Sequence, residues 1–365
     1  MTDRPLRAGI IGLGIGKAHA KGYLRSPHTQ LVALCDTDAE RLSARAADYH
    51  IPPELCFTDY RAMLDQAQLD VVSICLPNAL HAEASIAALQ AGAHVLCEKP
   101  LATTLEEALS MQRAAEAAQR HLMIAYNHRY RADVAWIRQM LSENKLGKVY
   151  NVYAWWRREA GIPGSGWFSQ APLSGGGALI DIGVHMLDLA LWLLDFPRVE
   201  TVSGQVGTHF GKRGVKISSS ALWKRSVSAE AFNVDDGAFG FLRCEGDLTV
   251  HLHASWAEHR APREDIIHLE LNGTEGTAVL HVVNYVQEGT VQFYTELAGQ
   301  PVVIAPSLRD GGIHGHEALI VESMAALVSG APLPVDVRHG VIGVQVVEAL
   351  YRSSRTRREV ALAQL

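Results

Sequence analysis

Between residues 8 and 126, short apolar runs alternate with stretches of helical periodicity, and the first junction between them is a glycine turn. The runs Ala8–Gly12, Leu31–Asp36, Val71–Leu76, His94–Cys97 and Leu122–Tyr126 are almost continuously apolar. A strand buried on both faces reads this way, whereas a half-exposed strand alternates. The segments between them, Lys17–Arg25, Ala39–Tyr49, Leu80–Ala91 and Leu105–Arg120, carry apolar residues at helical spacing. Thr103, with Glu106 three residues on, predicts a capping box at the start of the last helix. Strand, helix and strand repeated in this order lead to a parallel sheet covered on both faces, the doubly wound α/β arrangement.

After about residue 128 the texture changes. A helical segment, Ala132–Glu143, leads to the aromatic strand Val149–Arg157, a Gly/Pro/Ser-rich loop from Gly161 to Gly177, and a strongly apolar helix over Leu179–Leu194. Longer β-type runs follow at Ala231–Cys244, Leu248–Trp256, Ile266–Leu271, Thr277–Val283 and Val291–Glu296. Glu245-Gly246-Asp247 and Asn272-Gly273 join neighbouring runs as hairpin turns do. Helices over His316–Ser329 and Val337–Arg352 close the chain. A length of 365 residues suits two domains. We therefore expect residues 1–128 to form the doubly wound domain, and 129–365 an α+β domain on a large, mostly antiparallel sheet.

The glycine turn is where chemistry enters. In Gly12-Leu13-Gly14-Ile15-Gly16-Lys17, Gly12 permits a tight turn and Gly14 lets backbone approach a pyrophosphate. The free N–H groups and positive dipole of the helix amino end then face that anion. The usual third glycine falls at Lys17, and Gly16 stands one place early, so the helix–strand packing differs or the loop is one residue short. Asp36 ends the second strand, where a carboxylate accepts both ribose hydroxyls of NAD and repels a 2′-phosphate. This favours NAD, with NADP left possible by Arg41 nearby. The competing reading of Asp36 is a cap on the helix that begins at Ala39.

Two further segments carry reactive groups. Lys99, in Cys97-Glu98-Lys99-Pro100, ends a strand, and the carboxyl ends of strands line the ligand crevice of a doubly wound sheet. In Gly175-Gly176-Gly177-Ala178-Leu179-Ile180-Asp181-Ile182-Gly183-Val184-His185-Met186-Leu187-Asp188, the residues Asp181, His185 and Asp188 form one helical stripe. Burying a polar stripe among leucines is costly unless it meets a ligand or partners. No cysteine or third carboxylate stands nearby, so a metal is not expected.

These residues resemble the glucose–fructose oxidoreductase/inositol dehydrogenase (Gfo/Idh/MocA) family. The likeness lies in the glycine turn with His19, Pro77-Asn78 with His81, Glu98-Lys99-Pro100, Asn127 with Arg129, the block from Gly175 to Asp188, His314–Glu317 and Pro332–Asp336. It implies a Rossmann domain contacting NAD through Gly12, Gly14, Ile15, Gly16, Asp36, Leu76, Asn78, His81, Glu98, Lys99 and Asn127. The second domain would bind substrate and form a homodimer or homotetramer through its sheet. The implied reaction moves a hydride to or from a secondary alcohol of a sugar, cyclitol or derivative. Lys99, Asp181 and His185 are the expected catalytic residues, with either Lys99 or His185 the formal base. Asn127, Arg157, Trp167, Asp188 and His314 are expected at the substrate. An NAD-dependent glycoside hydrolase and a non-catalytic NAD-binding sensor are the alternatives. Loops Gly161–Ser174 and Phe210–Ser220 would set specificity.

Composition narrows the partners. A net charge of −6 argues against a general nucleic-acid binder. No run of apolar residues reaches the length of a membrane helix, since Asp188 interrupts Met186–Leu194. Met1 to Arg7 is short and polar, unlike an export signal. The five cysteines form no CxxC pair, as suits reduced thiols, and a cytoplasmic location is expected.

Overall fold

The computed structural model describes residues 4–159, 161–163, 166–213, 232–259, 264–308 and 312–364. The chain separates into two compact units, Met1–Tyr130 with Gly312–Val344, and Arg131–Gly311 with Gln345–Leu365.

The first unit runs β1 (Leu6–Ile11), α1 (Gly16–Arg25), β2 (Thr29–Cys35), α2 (Ala39–Tyr49), β3 (Cys56–Phe57), α3 (Tyr60–Gln66) and β4 (Val71–Ile74). It continues with α4 (His81–Gln90), β5 (His94–Cys97), α5 (Leu105–Ala118) and β6 (Leu122–Ile124). All pairs are parallel, in the order β3-β2-β1-β4-β5-β6. The apolar runs are indeed covered on both faces: β4 is buried at every residue, as is β6. The capping box lies one residue later than the sequence suggested. Thr104 accepts the Glu107 N–H (3.2 Å) and Glu107 accepts the Thr104 N–H (3.1 Å), because the helix begins at Leu105. Thr103 instead donates its hydroxyl to the same Glu107 oxygen (2.7 Å).

Gly312–Val344, which the sequence reading assigned to the second domain, belongs to the first unit. Its helix packs Leu319, Ile320 and Met324 into the core beside Ala20 and Tyr23. At Gly22 a Cβ would lie 2.6 Å from the Ile320 Cβ, so only glycine permits this approach.

The second unit contains α6 (Ala132–Ser142), β7 (Val149–Arg158), α7 (Ala171–Ser174), a π-turn (Leu179–Gly183) leading into α8 (Val184–Leu193), and β8 (Val199–Gly207). Strands β9 (Gly237–Cys244), β10 (Thr249–Ser255), β11 (Asp265–Gly273), β12 (Gly276–Val283), β13 (Val291–Leu297) and β14 (Gln300–Ile304) follow. Helix α9 (Gly315–Ser329) belongs to the first unit, and α10 (Val337–Thr356), which contains the division between units, leads into β15 (Val360–Ala361) of the second. The sheet order is β14-β13-β12-β11-β7-β10-β9-β8-β15, antiparallel throughout except for the parallel pair β7–β10.

Glu245–Asp247 links the antiparallel β9 and β10, as expected. Between β11 and β12 the connection is longer than Asn272-Gly273 alone, since Asn272 still pairs with Thr277. Helix α8 packs on one face of the sheet. The other face carries stacked pairs, Tyr153–His251 (4.7 Å), Trp155–His268 (4.6 Å) and Phe239–His253 (4.2 Å). By length and composition Ala171–Leu193 could cross a bilayer, but 89% of its apolar window is buried in the protein, as in a core helix.

Candidate active site

The dinucleotide end of the first unit is built by three glycines in different roles. Gly12 has φ +90°, and a Cβ there would lie 2.3 Å from the Cys75 carbonyl oxygen. Gly14 has nothing within 4 Å of such a Cβ, leaving open backbone. Gly16 packs α1 onto β1, where a Cβ would meet Ile10 Cγ2 at 2.7 Å. The third-glycine packing is thus done one residue early, by a shortened loop, and Lys17 is exposed. Ile15 is the N-cap of α1 and offers no side-chain cap, so the amino end of the helix keeps its donors for an anion. This arrangement fits a pyrophosphate.

Asp36 is buried and braces the turn. Its Oδ2 accepts the Leu13 N–H (2.8 Å) and Arg41 Nη1 (3.1 Å), and its Oδ1 accepts the Asp38 N–H (2.9 Å). Asp38, not Asp36, caps α2 by accepting the Arg41 N–H (3.0 Å). The capping alternative for Asp36 therefore falls away. A carboxylate has lone pairs for more partners than these, so ribose hydroxyls can still be accepted.

At the carboxyl end of β5, Lys99 is half-buried and its peptide bond to Pro100 is cis. Glu98 beside it turns inward. Its Oε1 accepts from His19 Nε2 (2.9 Å) and His316 Nε2 (2.8 Å), and its Oε2 accepts the Lys99 N–H (3.1 Å). His19 Nδ1 meets Ser73 Oγ (2.8 Å), which meets Tyr23 Oη (2.7 Å). With Nε2–H donating to the carboxylate, Nδ1 accepts the Ser73 hydroxyl, a single consistent tautomer.

Burial alone would raise the Glu98 pKa, but His316 and His19 hold it well below the carboxylate range. Burial pulls the His19 pKa down. The ligand-type atoms of His19, Glu98 and His316 lie within 4.8 Å of one another, and their hydrogen bonds to Glu98 account for that closeness. His81 spans the Pro100 (2.7 Å) and Leu76 (2.9 Å) carbonyls, tying the ends of β4 and β5 together, and burial lowers its pKa. Asn78 is buried in a short 3-10 turn; Asn127 and His314 are half-buried, His314 at the N-cap of α9.

In the second unit, Asp181 sits in the π-turn and is half-buried, while His185 and Asp188 lie buried on α8. The wide turn displaces Asp181 from the single helical stripe that a continuous α-helix would give. Asp181 Oδ2 accepts the Trp256 indole N–H (3.0 Å). The His185 ring lies 5.7 Å from the Trp156 ring of β7.

Alternation along β7 puts Trp156 and Arg158 on the face toward α8. Arg157 is on the other face, its guanidinium 3.7 Å over Trp155 and 3.9 Å from Glu258. The structure therefore does not group Arg157 with His185. Trp167 stacks on Phe168 (3.8 Å) in the loop before α7. Residues 164–165 and 214–220 of the two specificity loops lie outside the described residues.

What fixes the amino end of the π-turn had no sequence signal. Asp235 accepts the Gly177 N–H (2.8 Å) and the Tyr351 hydroxyl (2.8 Å) on Oδ1, and the Leu179 N–H (2.9 Å) on Oδ2. Burial raises its pKa against these bonds. Gly177 must be glycine, since a Cβ would stand 1.7 Å from the Asp235 carbonyl oxygen. Asp236 points the other way and accepts the N–H groups of His209 (2.9 Å), Phe210 (2.6 Å) and Gly211 (2.7 Å) on Oδ2.

Residues 6–126 match the oxidoreductase family with an NAD-binding Rossmann fold, and residues 134–279 match the GFO/IDH/MocA C-terminal domain. D-glucoside 3-dehydrogenase of Escherichia coli strain K12 is 33% identical over 366 residues, covering 99% of this chain and 99% of that protein. Levoglucosan dehydrogenase of Pseudarthrobacter phenanthrenivorans is 29% identical over 296 residues, 76% of this chain and 73% of that one. An oxidoreductase domain protein from Kribbella flavida superposes with TM-score 0.85 at 26% identity over the full length of both chains. Levoglucosan dehydrogenase in complex with NADH shares the fold, with TM-score 0.83 at 24% identity over 99% of this chain and 100% of that one. With both of its parts matched, this chain belongs to the GFO/IDH/MocA family of NAD-binding oxidoreductases.

Proposed function

We propose that the chain oxidises one secondary alcohol of a sugar, cyclitol or glycoside, or reduces the matching ketone, with pyranosides the first substrates to test. The observation that carries this reading is a polar set, Asp181, His185 and Asp188, on an otherwise apolar, buried helix. Similarity over 99% of its length to a D-glucoside 3-dehydrogenase supports the substrate class. A nicotinamide dinucleotide, when bound, supplies the hydride acceptor.

The residues suited to hold the dinucleotide are Gly12, Gly14, Ile15 and Gly16 at the pyrophosphate and Asp36 at the ribose, with Leu76, Asn78, His81, Glu98 and Asn127 around it. The protein's own task is the hydroxyl proton. His185 is assigned as general acid/base and Asp181 as the charge beside it. Lys99 is assigned as hydrogen-bond donor to the reacting oxygen, and it shares the proton. Asp188, Asn127, Trp167 and His314 are assigned to other substrate oxygens.

We also assign the chain to the cytoplasm, on five free cysteines of which Cys35, Cys75, Cys97 and Cys244 are buried. It is assigned as a homodimer or homotetramer through the aromatic sheet face, where Phe239 is 57% exposed. The test is NADH formation with a panel of glycosides, anhydro-sugars and inositols, for wild type, K99A and H185A. Turnover that either substitution abolishes supports the reading. Sugar release without net NADH formation replaces it with NAD-dependent hydrolysis, and tight NAD binding with no turnover of any kind replaces it with a sensor.

A further inference from the structure

The cation beside Asp181 is Arg158, and three features of its setting single it out. First, it shares the α8-facing side of β7 with Trp156, its guanidinium carbon 5.0 Å from the centre of that indole, and the same indole lies 5.7 Å from His185. Second, it is braced from behind. Nε donates to Asp265 Oδ2 (2.9 Å), Nη2 donates to Tyr285 Oη (3.1 Å), and the Tyr285 hydroxyl donates to Asp265 Oδ2 (2.8 Å). Asp265 is held in turn by the Trp156 indole N–H. Third, two of its nitrogens are used by this brace, and Nη1 makes no hydrogen bond among the described residues, with the side chain 17% exposed. Tyr285, Asp265 and Asp181 together keep the guanidinium strongly basic despite its burial.

A guanidinium fixed on two edges and open on the third presents a planar pair of donors to whatever lies beside Asp181 and His185. Such a fork matches two adjacent oxygens better than one. We propose that Arg158 is a substrate-binding residue whose open edge takes a vicinal pair of oxygens next to the reacting carbon of a sugar ring. This rests on the sugar-dehydrogenase reading above. It also gives Tyr285, 47% exposed, a purpose as the brace that keeps the fork aimed.

The probes are methyl β-D-glucopyranoside and its 2-deoxy and 4-deoxy analogues, with wild type and Arg158→Lys. Lysine keeps a cation for Asp265 but loses the fork. The expected result is a fall of about 10- to 100-fold in kcat/KM on the glucoside, carried by KM, the scale of one lost charged hydrogen bond. The KM for NAD should not change. On a deoxy analogue that lacks one oxygen of the contacted pair, the gap between wild type and R158K should narrow. If R158K matches wild type on every sugar that wild type oxidises, the inference fails and the dehydrogenase reading stands.

If wild type oxidises no sugar, the dehydrogenase reading fails, and quenching of tryptophan fluorescence by the glucoside decides the inference. Saturable quenching lost in R158K supports it, and none in wild type overturns it. A crystal structure of the wild type with NADH and the glucoside removes any dependence on the variant folding. There, an Arg158 beyond hydrogen-bond distance of every sugar oxygen overturns the inference.

Discussion

Asp235→Ala removes the side chain that fixes the start of the helix bearing Asp181 and His185. Truncation leaves two buried backbone N–H groups, Gly177 and Leu179, and the Tyr351 hydroxyl without their acceptor. Each such loss costs about 1–3 kcal/mol. Burial opposes ionisation of Asp235, so removing the carboxylate returns part of that cost. We expect a net destabilisation of about 3–5 kcal/mol, or roughly 10 °C in Tm for a unit of this size.

Graded variants test the geometry itself. Asp235→Asn keeps an oxygen for Gly177 and Tyr351 but turns an NH2 toward the Leu179 N–H, and should cost about 2 kcal/mol. Tyr351→Phe loses a single donor and should cost about 1 kcal/mol. Thermal unfolding followed by circular dichroism should therefore rank Y351F, D235N and D235A in increasing order of damage. In D235N, kcat should change more than KM for either substrate, since Asp181 and His185, proposed as the acid/base pair, are displaced while the first unit is untouched. A D235A protein within about 1 kcal/mol of wild type would refute the reasoning, because no buried N–H could then have depended on the carboxylate.

Two further outcomes are expected. Asp36→Ala removes the carboxylate proposed to accept the ribose hydroxyls and releases Arg41 from its 3.1 Å ion pair. NADH binding measured by fluorescence titration should weaken about 10- to 100-fold while NADPH binding weakens less or improves; an unchanged ratio counts against the role proposed for Asp36. Stability should also decline on mild acidification. Burial, with His121 and Arg120 near one ring and Arg129 near the other, lowers His94 and His339 to about 4 from 6.5. Both stay neutral in the fold while the unfolded chain takes up protons. The stability they contribute is complete above about pH 6.5 and is lost as pH falls toward 4. Tm against pH should show this decline, and His94→Gln, which keeps an acceptor for the His121 N–H, should flatten it.

Strands β1, β2, β4, β5 and β6 of the first unit were legible because each is a local apolar run closed by turn residues, so a short window identifies it. The two-residue β3, and the place of Gly312–Val344 in this unit, gave no such local signal. Other strands had no such window. β8 contains Gly204 and Gly207, and Gly204 is required by the Leu350 carbonyl oxygen, 2.8 Å from where its Cβ would be. β14 carries Pro301 at the sheet edge, and β15 is two residues long. The site divides in the same way. Asp181, His185 and Asp188 share one short segment and were visible as a pattern. His316 reaches Glu98 across 218 positions, and Asp235 reaches Gly177 across 58, distances at which spacing carries no information. The choice between Arg157 and Arg158 was open to a period-two argument, but only after Trp156 is known to face α8.

The wide turn at Leu179–Gly183 has a consequence for how such a site can change. An α-helix rotates by about 100° for each residue, so a turn holding one more residue than its neighbours sets Asp181 at an angle no uninterrupted helix would give it relative to His185. Deleting a single residue there would swing the carboxylate around the axis while leaving every side chain of α8 in its socket. The mutual aim of the two groups is set by how many residues the turn holds as much as by which residues they are, and insertions and deletions can retune it where substitutions cannot.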